Sequence, residues 1–300
     1  MKIYSKPKIN KWWYPFRFFI EFIGVQLERR KLSNIEIKES GVTKEKRDLQ
    51  IVVSLTSYPK RIDTIYLAIR TILNQTLKPD HVILNLATEQ FPEGEESLPI
   101  KLLDLKHYGL EINWTEDIRS YKKLIPIYEE YKQHIIVTVD DDIYYRHDWL
   151  EKLYNSYLKE PNYIHCNVVN PFFIDEENNI YQIQDQRIYH KKASFLNSQV
   201  GFGGVLYPPM SLYKDITNKD LFMRLAPTND DLWFWFMAIL AGTKVCVINK
   251  NDLWGIAIKE TVGEGLTYYN SAEGRPFMVQ LNNLFNYYSN VQEILLNEKI

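Results

Sequence analysis

Three consecutive carboxylates, Asp140, Asp141 and Asp142, close the apolar run "HIIVTV" that begins at His134. They cannot all be buried unpaired, because each ionised carboxylate taken out of water costs several kcal/mol. They need solvent, basic partners or a cation. Clustered carboxylate oxygens are hard ligands suited to Mg²⁺ or Mn²⁺, and such an ion keeps waters and bridges to substrate phosphates. The competing reading is a solvated acidic turn; D-x-D spacing is common by chance, and its place after a buried run gives it weight. A second acidic pair, Asp230 and Asp231 in "TNDDLWFWF", opens a helical stretch. A carboxylate there suits general-base work. It equally suits the N3 position of a capping box begun by Thr228, and the helix dipole at that end lowers a carboxylate's pKa. Asp148 in "HDWLE" reads as a helix cap and so as structural.

The elements that must position these groups follow from hydrophobic periodicity. "QIVVSLTSYP" from Gln50, "HVILNLA" (81–87), "LEINWTED" (110–117) and "HIIVTVDDD" read as strands. Helical faces fall between them at 62–76, 99–107 and 120–132, the last with Pro126 early in it. This alternation predicts a mostly parallel sheet with helices on both faces. Ligands of such sheets sit beyond the carboxyl ends of the strands, where the aspartates stand. Further along, "WLEKLYNSYLKE" reads as a helix, "NYIHCNVVN" as a strand and 171–200 as loops and short strands. A helix at 229–241, a strand at "KVCVIN" and a helix at 276–297 follow.

Composition bounds the function. A chain of 300 residues, 45% apolar and 25% charged, supports one large α/β domain with decorations. The net charge of −2 speaks against a general nucleic-acid binder. Cys166 and Cys246 lie in apolar runs and read as buried thiols of a reducing compartment, with no Cys/His metal spacing. Neither a signal peptide nor a run of 18 apolar residues is evident.

Several segments, in this order and spacing, resemble bacterial GT-A glycosyltransferases related to family 2 and found in surface-polysaccharide gene sets. They are "VVSLTSYPKRIDTIYLAIRTILNQTLKPDHVILNLATEQFP", "DIRSYKKLIPIYEEY", "IIVTVDDDIYY", and "GFGGVLYPP" followed by "NDDLWFWFMAILAG", spanning roughly residues 50–250. The resemblance implies the GT-A fold and a nucleotide-diphosphate sugar donor, UDP-linked by expectation. It also implies Mn²⁺ or Mg²⁺ at the D-x-D, with Asp142 as direct ligand and Asp140 at the ribose or the ion's water shell. Thr56, Ser57, Tyr58 and Arg61 would border the nucleotide, with Asp117 on the base, Lys122 or Lys123 on the diphosphate and Asp141 beside them. Gly203 and Gly204 of "GFGG" would lie against the donor sugar, against the rival reading of a plain turn. Asp231, with Asp230 close behind, would be the base of an inverting transfer. Trp233 and Trp235 could line an acceptor site or simply pack. One departure stands out: many such enzymes supply a later His to the metal, and the last His here, His190, precedes "GFGG".

Residues 11–31 stand apart. Phe16, Phe19, Ile20, Ile23 and Leu27 fall at helical spacing after Trp12, Trp13 and Tyr14, and Arg29, Arg30 and Lys31 follow. Such a helix either lies on an anionic membrane or packs on the catalytic domain; residues 33–48 read as a linker. The expectation is therefore an extension and linker over 1–48 and a GT-A domain over 49–300. It is cytoplasmic, with a peripheral seat on the inner membrane face where the helix binds lipid. It transfers sugar to a glycan or lipid-linked acceptor and has no nucleic-acid partner. Two alternatives remain. One is a sugar nucleotidyltransferase, disfavoured because "TSYPKR" lacks a Gly-rich loop; the other is a non-catalytic sugar-binding or membrane-associated protein of this fold.

Overall fold

The computed structural model describes residues 3–4, 14–183, 188–248, 254–259 and 276–298, with side chains from residue 24 onward. After β1 (Ile3–Tyr4) and α1 (Tyr14–Ser33) the chain alternates β2 (Ile51–Thr56), α2 (Ile65–Ile72), β3 (His81–Ala87), α3 (Ile100–Leu103) and β4 (Leu110–Thr115). Next come α4 (Ile125–Tyr131), β5 (Ile135–Thr138), β6 (Ile143–Tyr145), α5 (Trp149–Lys159), β7 (Ile164–Cys166), β8 (Val169–Ile174), β9 (Ile180–Ile183) and β10 (Asn197–Gln199). The last elements are β11 (Val205–Tyr207), α6 (Lys219–Leu225), α7 (Asp230–Leu240), β12 (Val245–Val247), β13 (Gly255–Ala257), α8 (Pro276–Tyr287) and α9 (Ser289–Leu296).

The main sheet has seven strands in the order β12-β7-β11-β5-β2-β3-β4. All neighbours run parallel except around β11, which is antiparallel to both β5 and β7. The α/β architecture with a mostly parallel sheet is therefore as the alternation of strands and helices predicts. β2 lies between β3, the next strand in the chain, and β5, so the direction of winding reverses between β2 and β5. Open α/β sheets bind ligands in the crevice beyond such a reversal, and the ends of β2 and β5 carry Ser57–Arg61 and Asp140–Asp142.

Both faces are covered, which is why the central strands read as continuous apolar runs. Ile51, Val53 and Leu55 pack with Ile65, Ile69, Leu150 and Leu153 of α2 and α5. Val52, Ile83 and Ile136 join the opposite core with Tyr121, Phe222, Phe234, Leu281 and Val291. A four-stranded sheet (β1-β9-β8-β10) and the pair β13–β6 complete the fold.

Several local expectations change. The stretch read as one helix over 120–132 begins as a 3₁₀ turn, Arg119–Lys123, and becomes α-helical only from Ile125. "NYIHCNVVN" divides between β7 and β8, and the C-terminal helix divides into α8 and α9. The expected linker is docked: Gly41 N–H donates to Tyr108 O, Thr43 N–H to Pro79 O, and Arg47 pairs with Asp80 at 3.0 Å. The C-terminal half of α1 packs on the domain through Leu32 and Val25, against Ala68, Tyr144, Ile256 and Ile258. Trp12 and Trp13, and the side chains of 14–23, lie outside the described residues.

Candidate active site

The three aspartates at the end of β5 divide by environment. Asp141 points inward: Ser57 Oγ donates to Asp141 Oδ2 at 2.6 Å, and Arg61 Nη1 to Oδ1 at 2.6 Å. It thereby ties the end of β5 to the end of β2. Burial pushes its pKa up, and Arg61 and Ser57 oppose the rise. Asp140 and Asp142 are each 26% exposed and open on solvent. Arg61 Nη1 also reaches Asp142 Oδ2 at 2.9 Å, with its guanidinium 5.7 Å from the Tyr58 ring centroid. The pKa of Asp142 is pushed up to about 6, by burial first and then by Asp140, against the pull of Arg61. Thr56 is turned to the sheet, its hydroxyl donating to Asn85 O at 2.8 Å.

The 3₁₀ turn "RSYKK" supplies the bridging groups. Lys122 and Lys123, which a solvated helix face would expose, are both buried. Lys122 Nζ donates to Asp117 Oδ1 at 2.7 Å. Burial raises the Asp117 pKa, but hydrogen bonds from Lys122 and the Arg119 N–H outweigh it and hold the group below its usual range. Lys123 Nζ lies 2.8 Å from Asp140 Oδ1 and 3.1 Å from Asp230 Oδ2. Burial disfavours its charge, yet Asp140, Asp230 and Asp231 together raise its pKa well above the ordinary lysine value. The same turn holds the loop before α7: Arg119 Nη1 donates to Pro227 O at 3.0 Å and Tyr121 Oη to Ala226 O at 2.6 Å.

At the start of α7, Asn229, not Thr228, is the N-cap, its Oδ1 accepting from Leu232 N–H at 3.1 Å. Asp230 and Asp231 are thus free of the capping box that Thr228 suggested. Asp230 accepts from Ser120 Oγ at 2.7 Å and pairs with Lys123. Asp231 accepts the Gly201 N–H at 3.1 and 3.2 Å through its two oxygens. The helix dipole was expected to depress its pKa. Burial first, then the charges of Asp230 and Asp140, prevail over Lys123 and push it up to about 7. The cluster therefore contains Asp230, whose Oδ1 is hydrogen-bonded while its buried Oδ2 has the Lys123 charge at 3.1 Å but no hydrogen bond, and Asp231, whose pKa is pushed up to about 7.

The glycines of "GFGG" separate in the same way. A Cβ on Gly201 would come 2.9 Å from Lys123 Nζ and 3.0 Å from Asp231 Oδ1, so this glycine keeps the cluster open. Gly203 and Gly204 face the core instead. Gly203 O accepts from Trp149 Nε1 and Asn167 Nδ2, and a Cβ on Gly204 (φ +81°) would come 2.2 Å from Trp149 Cζ2. Trp233 and Trp235 are fully buried packing residues, donating to Ile216 O and Phe195 O. His190 is buried on Phe172 O. Asp148 stands at an N-cap position but makes no capping bond; it pairs with Lys152 at 2.9 Å.

Among the described residues, no group of three His, Cys, Asp or Glu stands together to hold an ion. Asp140 and Asp142 are hard oxygen donors of the kind a divalent ion takes together with phosphate and water, and each is ion-paired here, with Lys123 and Arg61 respectively. Sequence reasoning passed over Ser120 and Asn229 and singled out Gly203 and Gly204 ahead of Gly201. "SYKK" and "TNDD" carried weak signals of the first two; nothing in "GFGG" ranks one glycine above another. No protein-family profile matches the chain, and no curated protein matches it.

Proposed function

We propose that the protein is a GT-A-type glycosyltransferase. It moves a sugar from a nucleotide-diphosphate donor, UDP-linked by expectation, to a glycan or lipid-linked acceptor with inversion, in cell-surface polysaccharide synthesis. The observation that carries this reading is that Lys123 joins Asp140, at the end of β5, to Asp230, while Asp231, whose pKa is pushed up to about 7, meets the same cluster at Gly201. Diphosphate chemistry and a general base are needed side by side in such a transfer.

The site's residues divide the work. Asp231, oriented by the Gly201 N–H, takes the proton of the acceptor hydroxyl as that oxygen attacks the anomeric carbon. Asp230, fixed by Ser120 and Lys123, keeps the pKa of Asp231 high enough for a useful base. Asp140 and Asp142 would hold Mg²⁺ or Mn²⁺, which when bound stabilises the departing diphosphate as a Lewis acid. Arg61, through Asp141, keeps the ends of β2 and β5 together, and Ser57 and Tyr58 border the nucleotide. Asp117, held ionised by Lys122, accepts from the base.

A second reading draws on the same ion pairs: Arg61 and Lys123 already neutralise Asp140–Asp142, as a non-catalytic sugar-binding protein would require. Donor hydrolysis and thermal stabilisation across a panel of nucleotide sugars, with Mn²⁺, Mg²⁺ or a chelator, decide between them. Metal-dependent hydrolysis of one donor, lost in Asp142→Ala and in Asp231→Asn, is the expected result. Donor binding without turnover under any condition establishes the second reading. Absence of binding by every nucleotide sugar, with Asp142→Ala unchanged, overturns both.

A further inference from the structure

In the sequence, the span of helix α1 carries apolar residues at positions of two opposite faces, and among the described side chains those of one face pack on the domain while Leu27 of the other is exposed. At 100° per residue, Val25, Glu28 and Leu32 share one side. Leu32 is buried, Val25 packs on Tyr144, Ile256 and Ile258, and Glu28 faces Arg146 at 3.8 Å. Leu27 stands on the other side and is 65% exposed. Helical periodicity over Tyr14–Ser33 puts positions 16, 19, 20 and 23, which are Phe, Phe, Ile and Ile, on the face of Leu27. By helical periodicity the sequence places an apolar stripe on the face of α1 where Leu27, its described member, is exposed.

The residues around this stripe indicate what covers it. Arg30 and Lys31 are exposed, and on the helical wheel they flank Leu27. Trp12, Trp13 and Tyr14 precede the stripe in the sequence, and Arg17 lies within the helix. An apolar face edged by Arg and Lys, with Trp and Tyr at one end, matches the interfacial region of an anionic bilayer. A protein partner would not specifically require cations along both edges. No described helix is long and apolar enough to cross a membrane, so the helix would lie in the interface plane. We propose that α1 is an in-plane anchor that seats the protein on an anionic lipid surface through positions 16, 19, 20, 23 and 27. Its inner face grips β6, the strand that leaves the Asp140–Asp142 cluster, so the anchor holds the candidate active site at a fixed height above the lipid. The anchoring itself is independent of the transfer chemistry.

Flotation of the full chain tests this without any nucleotide sugar, using vesicles of phosphatidylcholine alone or mixed with phosphatidylglycerol, at low and high salt. The wild type is expected to float with the anionic vesicles, and salt is expected to weaken the association. The pairs Ile23→Glu/Leu27→Glu and Arg30→Glu/Lys31→Glu are each expected to lower partitioning by more than about tenfold. Circular dichroism and Tm of the Arg30→Glu/Lys31→Glu pair and of Leu27→Glu alone should stay at wild-type values, because these residues are exposed, and Ile23→Glu/Leu27→Glu is compared only where it melts as the wild type does. Failure of the wild type to float with anionic vesicles overturns the proposal, as does equal flotation of the folded variants. A dimer seen by light scattering, dissolved by Leu27→Glu and accompanied by no flotation, assigns the stripe to a second copy and also overturns it.

Discussion

At the residue scale the site turns on an asymmetry between two adjacent aspartates. Asp230 takes a hydrogen bond from Ser120 on one oxygen and has the Lys123 charge beside the other; Asp231 has the Gly201 N–H and a pKa pushed up to about 7. Only the ionised carboxylate accepts a proton, so the transfer rate should climb with pH through about 7 and flatten above it, as a pH–rate profile at saturating donor would show. Asp231→Asn should lower the rate by about 10²–10⁴-fold with donor affinity retained. The same substitution should stabilise the fold at alkaline pH. A carboxylate whose folded pKa lies above its unfolded value of 3.8 contributes stability below that value, and the contribution is lost as pH rises through about 7. The advantage of Asn should therefore grow across that interval to the order of 1–3 kcal/mol, measurable by urea unfolding at several pH values. Lys123→Met acts in the opposite sense. It strands Asp140 and Asp230 and should cost about 3–5 kcal/mol, partly recovered by adding Asp230→Asn. The carboxylates were legible in the sequence as chemistry because clustered acids at strand and helix ends demand partners. Which partner each takes was not, since Lys123 meets Asp230 only after the chain has crossed the sheet and returned.

At the scale of single elements, legibility followed the strength of the local pattern. The buried strands and α2, α5 and α7 stand close to where periodicity puts them, because each carries an unbroken apolar run or face. The stretch 120–132 departs from expectation because every residue of "RSYKK" is claimed by a neighbouring segment. Arg119 even takes φ +58° to donate its N–H to Asp117. The cap of α7 was misplaced by one residue: Thr228 binds Gln280, leaving Asn229 to reach Leu232 N–H. "GFGG" shows the limit most clearly, since its glycines serve different ends. Gly201→Ala should fold with a Tm near that of wild type but lose most activity, because its methyl would press on Lys123 Nζ and Asp231. Gly204→Ala should cost at least about 2 kcal/mol, having both a positive φ and a 2.2 Å approach to Trp149. Comparable melting temperatures for the two variants would show that the glycines are not divided in this way.

On the scale of the whole molecule, strand–helix alternation predicts the parallel sheet, and the reversal between β2 and β5 explains why the acidic cluster sits where it does. The way the C-terminal helices complete the site could not be read in advance. One part of their contribution is a buried glutamine, 52 residues from its partner in sequence. Gln280 Oε1 accepts the Thr228 N–H at 2.9 Å, and its Nε2 donates to Thr228 Oγ1 at 2.9 Å. Thr228 lies two residues before Asp230, so α8 and the "RSYKK" turn both hold the loop that leads into the proposed base. The described bonds of Gln280 go to Thr228 and Pro276, so an effect on the proposed reaction would pass through the position of that loop. Gln280→Leu removes these bonds and the one to Pro276 O, and leaves the half-buried Thr228 N–H without that acceptor, at a cost of about 1–3 kcal/mol. It should reduce kcat by about tenfold or more while KM for the donor stays constant, because the donor residues on β2 and β5 are untouched. Gln280→Glu keeps the acceptor and loses the donor, and should fall between the two. A loss of Tm in both variants with kcat intact would confine Gln280 to stability and leave the turn alone in placing the base.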